Sequence, residues 1–382
     1  MLTDLARWGI APVVSFEMSW DSLIALLVVA TSPIPATTST NTCDDTVDPL
    51  AFKAGNPPPA CWRPYRPESP FNLEIPRNVK ELESSEKISG KLVESGPVGP
   101  IPAGDPERDF GIATYHAQPG DETKTVTCIE DFGGTCDLEG VEVPMPPNAI
   151  PSGVWPLTEP EDDWDSHLTV IDHASGMEYD LWNIREMDDD SVSIKWGGIT
   201  NVRGYGLGSD AVASQNGSIA GMVRAEELRA GEIDHALALF VPCTEGYVYP
   251  ATKGGFDCSD NDFDAEDRPA MGAHFQLPSD PDELAAAPPW KRAILKALDR
   301  YGAYVVDTSG TEGIWGVKHE SANGYTSQGE DDPFVKLAID SGIGAVDPNE
   351  NGIPEYFFNF GFETDFSGLR LVPASIEPPP SG

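Results

Sequence analysis

Apolar and polar positions alternate in short runs along most of this chain, and turn residues separate the runs. HLTVIDHASGMEYDLWNI (167–184) carries two alternating segments around Ala174–Gly176, the pattern of a β-hairpin. SVSIKWGGI (191–199) repeats it, as do KTVTCIEDF and GIATYHA upstream. IDHALALFVP, YVYPAT, HFQLP, YGAYVVDTSG and LRLVP continue the series toward the C-terminus. Three segments switch to helical spacing. They are RAEELRAG (224–231) with its glycine stop, PPWKRAILKALDRYG (288–302) between proline and glycine, and DDPFVKLAIDSG. Residues 41–160 are dense in proline, as in NPPPACWRPYRPESPFNLEIP and VPMPPNAIPSGVWP, which predicts no long helix there. The expected fold is mostly β: an antiparallel β-sandwich or jelly roll with a few short helices and a Pro-rich N-terminal segment. No repeat or linker interrupts 61–375, so this stretch is expected to form a single domain, followed by a flexible tail at 376–382.

The N-terminus changes the picture of where the chain works. SLIALLVVA (Ser22–Ala30) is too short to span a bilayer comfortably and runs into TSPIPATTSTNT. Residues 1–36 therefore read as a signal peptide or N-terminal hydrophobic anchor, and 37–60 as a Pro/Thr-rich linker. The six cysteines fall into sequential neighbours, Cys43/Cys61, Cys128/Cys136 and Cys243/Cys258, whose short intervals favour local disulfides. No CxxC occurs, so zinc and thioredoxin chemistry have no foothold. Export signal and disulfides together predict a secreted or cell-surface protein.

Charge narrows the partners. The 382 residues hold 63 Asp and Glu against 24 Lys and Arg, a net charge of −39, yet 40% of them are hydrophobic. The chain can bury a core, and its field repels nucleic acid and anionic lipid, which excludes both as partners. Excess acid suits cation binding or high salt.

GEIDHALALFVPC (231–243) is the most suggestive stretch. Strand alternation places Ile233, His235, Leu237 and Leu239 on one face and Glu232 and Asp234 on the other, so no ready-made triad forms. His235 is then either a core histidine held by a hydrogen bond, the commoner arrangement, or a general base. Asp165 lies two residues before His167 and could orient it, unless both belong to an exposed acidic edge. Arg224 pairs with Glu226 or Glu227, or else grips a substrate carboxylate. A lyase of uronic-acid polymers needs a cation, a base and often a tyrosine acid. Arg224, His235 and one of Tyr205, Tyr249 or Tyr304 supply those types, with Tyr304 preferred. A hydrolase needs two facing carboxylates, which 63 acids leave unspecified. Trp155, Trp164, Trp182 and Trp196 are candidates for stacking on sugar rings, with core packing the default for the last two.

Two segments suggest calcium. In DPNENGIPEY (347–356), Asp347, Asn349, Asn351, the Ile353 carbonyl and Glu355 present hard oxygens at alternating spacing around a glycine turn. The simpler reading is an Asn/Gly turn. DCSDNDFDAED (257–267) is an acidic loop first. RGYGLGSD (203–210) lacks the βαβ setting of a dinucleotide site, and NGS (216–218) is a glycosylation sequon only in a host that glycosylates.

The succession CWRPYRPESPFNLEIP, DSHLTVIDHASGMEYDLWN, GMVRAEELRAGEIDHALALFVPC, YVYPAT, MGAHFQL and LKALDRYGAYVVDTSG resembles a group of secreted, largely uncharacterised bacterial proteins. The similarity spans roughly residues 60–373, and its "R-x-E-E-L…G-x-I-x-HAL" block is the most specific part. The resemblance implies a β-sandwich similar to polysaccharide-lyase or lectin-like jelly rolls. GIWGVKHESANGYTSQGEDD departs from the group, where a compact turn is usual. The expected function is action on, or binding of, extracellular polysaccharide or cell-surface glycan, as a polysaccharide lyase or glycoside hydrolase. The alternative is a non-catalytic carbohydrate-binding or cell-envelope structural protein.

Overall fold

The computed structural model describes residues 47–375 apart from 131, 133, 158–164, 189, 255–262, 310–313 and 363. Chain contacts separate Met1–Thr40 from a unit spanning Asn41–Gly382, and every described residue belongs to the latter. The predicted signal segment, the 376–382 tail, Trp164, Cys43 and Cys258 lie outside the described residues.

The elements begin with helix α1 (Ser85–Ser95), strand β1 (Ile101–Ala103), β2 (Ala113–His116), β3 (Thr123–Cys128) and β4 (Glu142–Pro144). Then come β5 (His167–Asp172), β6 (Met177–Met187), β7 (Ser191–Asn201), α2 (Ala225–Ala230) and β8 (Leu237–Val241). The third group is β9 (His274–Gln276), α3 (Pro281–Ala286), α4 (Pro289–Arg300), β10 (Ala303–Thr308) and β11 (Gly316–Val317). The last is α5 (Asn323–Thr326), α6 (Pro333–Asp340), β12 (Tyr356–Phe358) and β13 (Arg370–Val372). Strand outweighs helix, as the alternation predicts.

Six strands form one sheet in the order β2-β5-β6-β7-β3-β4, five form another in the order β11-β8-β10-β9-β13, and β1 pairs with β12. The predicted hairpin is present as β5 and β6, with Leu168 opposite Leu181. The pairing is mixed, however, where an all-antiparallel sandwich was expected. β8 runs parallel to β10, β2 to β5 and β3 to β7. The sequence between β8 and β10 includes α4, which packs Ala293, Ile294, Ala297 and Leu298 in one core with Leu237, Leu239, Ala303 and Val305. A helix in that connection makes the parallel pair possible, because parallel neighbours need a long return path.

Alternation sorts the side chains into layers. In β8 and β10 the set Leu237, Leu239, Ala303 and Val305 faces the helices, while Ala238, Tyr304 and Val306 join Ile171 of β5 in a second core between the sheets. Leu168, Val170, Leu181, Ile194 and Trp196 form a third core on the far side of the six-stranded sheet.

Three local expectations change. The strand predicted from Ile233 begins at Leu237, so His235 sits in the turn before it. YVYPAT forms only a single bridge, Tyr247 to Met271. Helix α1 forms inside the proline-dense region, because Pro76 and Pro97 bracket a proline-free stretch long enough for it. The linker expected over 37–60 is packed where it is described: Phe52 and Ala60 are buried. Cys128 and Cys136 are disulfide-bonded, and Cys61 and Cys243 are disulfide-bonded as well.

Candidate functional site

A proline-rich segment has few backbone N–H groups, so its carbonyls must find donors elsewhere. Arg224 supplies them. Its Nη1 donates to the carbonyl of Pro58 at 3.1 Å, and its Nη2 to those of Ala60 at 3.3 Å and Trp62 at 2.7 Å. Nη2 also meets Glu227 Oε1 at 2.6 Å. Glu227 is the third residue of α2, and its other oxygen accepts from the Arg224 backbone N–H at 2.9 Å. Gly231, at φ 73°, ends the helix in the left-handed conformation that glycine favours, and the chain returns past Glu227. His235 Nε2 then lies 3.0 Å from Glu227 Oε1, while Nδ1 lies 2.9 Å from the Ala236 carbonyl.

Glu227 is fully buried, and burial alone would raise its carboxyl. The Arg224 guanidinium, with His235 behind it, more than offsets that and holds it below the usual range. The geometry matches the plainer of the two readings at each position, a hydrogen-bonded core histidine and an arginine paired with Glu227. His235 and Arg224 do come together, through Glu227, but Arg224 is spent on carbonyls and one buried carboxylate. It has no fork left for a substrate. His235, 4% exposed with both ring nitrogens facing oxygens, braces Glu227.

The other predicted residues fall elsewhere. His167 Nε2 lies 3.4 Å from Asp165 Oδ1, as the spacing suggested, and Trp182 Nε1 donates to the same oxygen at 2.5 Å. Among the described residues no hydrogen bond joins this pair to the Arg224 group. Tyr304 is fully buried between the sheets, stacked on His274 with ring centroids 4.0 Å apart. Burial pushes its phenol up to about 12, which makes it a poor acid catalyst. Asn216 of the NGS sequon is buried and donates to the Gly217 carbonyl, so it is closed to modification.

In the 347–355 loop, Asp347 accepts from the backbone of Asn351 at 3.1 Å and Gly352 at 3.0 Å. Asn351 Oδ1 accepts from Ile353 N, and Arg108 stands 3.5 Å from Glu355 and 3.2 Å from Asn349 Oδ1. Among the described residues no group of three or more His, Cys, Asp and Glu side chains converges as a metal site. As the side chains stand, oxygens of Asp347 and Asn351 close an Asx turn, and Arg108 faces Glu355 and Asn349. Calcium there stands as a proposal. Of the 257–267 loop, residues 257–262 lie outside the described residues.

Beside the Arg224 group lies a cleft that sequence reasoning missed. An outer cavity of ≈ 130 Å³ and an inner one of ≈ 10 Å³ share Pro58, Thr114, His116 and Glu320 in their walls. Arg224, His235 and Trp62 line the inner one, and Lys53, Tyr325 and Gln328 the outer. β2 delivers Thr114 and His116. Glu320 is tied to β2 by the bridge between Ile112 and Glu320, and Gly324 allows α5 onto β2. A Cβ at Gly324 would stand 2.6 Å from the Thr114 carbonyl oxygen.

Glu320 is 4% exposed, and its Oε2 accepts from Tyr325 Oη at 3.0 Å. Burial first, then the Glu226 charge, push its carboxyl up to about 8, against the pull of Arg224. It is therefore an acid that still holds its proton at neutral pH. His116 behaves oppositely: burial, then the charges of His173 and Arg224, lower it well below the usual histidine value. Its Nδ1 lies 2.9 Å from His173 Nε2, the rings stacked at 5.1 Å with Phe52 and Trp62 edge-on. That leaves Nε2 without a protein partner among the described residues. A neutral imidazole and a protonated carboxyl thus line one cleft, the pattern of a base and an acid. Glu320 and Tyr325 both fall in GIWGVKHESANGYTSQGEDD, a stretch whose residue order alone marked no functional side chain. No protein-family model, no curated protein and no solved structure matches this chain.

Proposed function

We propose that this protein acts on extracellular polysaccharide by general acid–base catalysis in the His116–Glu320 cleft, as a polysaccharide lyase. The observation that carries the reading is Glu320, buried in a cleft wall with its carboxyl pushed up to about 8, sharing that wall with the neutral His116. In the lyase reaction His116 Nε2 takes the proton next to the substrate carboxylate. The electron pair left behind forms the new double bond, the carbon–oxygen bond breaks, and Glu320 gives its proton to the leaving oxygen. Lys53 in the outer cleft supplies the cation that the substrate carboxylate requires, a role Arg224 cannot fill. The Arg224–Glu227–His235 group holds the proline-rich wall in place and adds positive charge behind it.

Export through the Ser22–Ala30 segment belongs to the same proposal, and the Cys128–Cys136 disulfide suits an oxidising compartment. The experiment is incubation of the purified protein with uronate polymers while absorbance of the unsaturated product and reducing ends are followed. Turnover lost in both Glu320→Gln and His116→Ala, with the fold intact, supports the reading. Turnover that survives both substitutions, or none on any polymer despite binding, overturns it. Binding without turnover would favour the carbohydrate-binding alternative.

A further inference from the structure

Cations are scarce in this chain, and several of its arginines meet carboxylates. Arg108, Arg224, Arg229, Arg268 and Arg300 all do so within 4.0 Å. Among those without an ion pair in the described residues, three gather in one place. Arg63, Arg66 and Arg203 line one cleft of ≈ 510 Å³ with Trp62, His173 and Asp48, and none makes an ion pair among the described residues. Arg63 Nη1 donates to the Asp234 carbonyl at 3.3 Å, Arg66 lies over the Tyr205 ring at 4.6 Å, and Arg203 Nη2 donates to the His173 carbonyl. Each spends only part of its five donors. Among the described residues Asp48 is the one carboxylate in the lining, and it accepts from the Leu50 backbone at 3.0 Å. A second cleft of ≈ 260 Å³ continues past Trp62, Arg63 and Tyr65, so the two form an extended groove.

With 63 acids against 24 cations, three guanidiniums gathered beside one described carboxylate give this groove a charge opposite to that of the chain as a whole. We infer that this groove is a second binding site, for a polyanionic glycan whose carboxylate or sulfate groups the arginines receive in bidentate fashion. The aromatic walls fit pyranose faces, as stacking platforms do. Spaced single charges on rigid rings suit the site better than the dense charge of a nucleic acid, which the net −39 repels over a longer range. His173 in this groove touches His116 of the catalytic cleft, so one chain could occupy both. The binding proposal stands without the catalytic one.

The test is titration calorimetry of the full chain with oligogalacturonate, a sulfated dextran oligomer, neutral dextran and a single-stranded oligonucleotide. Either acidic glycan should bind while neutral dextran does not, and preference between the two assigns carboxylate or sulfate. Arg66→Ala and Arg203→Ala should each weaken binding about tenfold, with Arg66→Lys recovering part of the loss. Arg66 is exposed, so its substitution leaves the fold intact. Binding is read here without turnover, so inactivity toward every polymer leaves this proposal untouched, which separates failure here from failure of the catalytic reading. Affinity unchanged in both arginine variants, no binding of either acidic glycan, equal binding of neutral dextran, or tighter binding of the oligonucleotide would overturn the proposal.

Discussion

Arg224 and Glu227 form a buried ion pair, Nη2 to Oε1 at 2.6 Å, and through it one arginine fastens the proline-rich segment to the domain. The pair lies inside α2's first turn, yet the carbonyls it holds come from residues some 160 positions earlier, Pro58 among them at a separation of 166.

Breaking this pair from one side leaves an uncompensated buried charge. Glu227→Gln should cost about 3–5 kcal/mol in a urea melt and expose the 47–62 segment to limited proteolysis. Because Glu227 is held below its usual range, its contribution is present above the unfolded value near pH ~4.3 and is lost as pH falls through the folded one. The variant should therefore lose less stability than the parent on acidification. Equal acid sensitivity in the two would remove Glu227 from the explanation.

Glu320 works in the other direction. Its folded value is raised to about 8, so its stabilising effect is full below the unfolded value near pH ~4.3 and disappears as pH rises through about 8. Across that window the parent should fall relative to Glu320→Gln by at most about 1.4 kcal/mol per pH unit. Thermal melts at pH 4 and pH 8 check this, and the Gln variant should gain on the parent between them.

In the proposed lyase reaction the same proton limits turnover. Turnover by the parent should hold across neutral pH and decline above pH about 8 as Glu320 ionises. A pH–rate profile flat to pH 10, about two units above that value, would assign the acid to another group.

Glycine at 217 is required by a close approach. Its missing Cβ would lie 2.2 Å from Tyr65 Oη and 2.7 Å from Glu178 Oε1, the pair that hydrogen-bonds at 2.7 Å between the sheets. Gly217→Ala should destabilise by about 1–3 kcal/mol, whereas Gly120→Ala, with open space for a Cβ but φ +98°, tests backbone strain alone. Chemical melts of the two variants separate crowding from strain.

For the 347–355 loop, the calcium proposal predicts a higher melting temperature with calcium than with chelator, and coinciding midpoints would leave the Arg108 contacts to Glu355 and Asn349 in its place. A calcium-dependent rise would show that the Asn349 and Asn351 amides turn over to make a site.

Local order was readable from residue order alone. Alternation located β5, β6, β7 and β10, glycine and proline punctuation located α2, α4 and α6, and short spacing located the Cys128–Cys136 bridge. These depend on neighbours along the chain, so side-chain period and loop length suffice. The direction of pairing did not follow, since alternation is the same in parallel and antiparallel strands. Nor did the cleft. His116 carries no distinguishing neighbours in GIATYHA, and Glu320 sits in a segment without periodicity. They meet because Ile112 bridges Glu320 and a proline-rich segment closes over both, contacts between residues distant in sequence. His235 shows the same division. Its apolar company foretold burial, but Glu227, eight residues away across a helix end, determined what it holds.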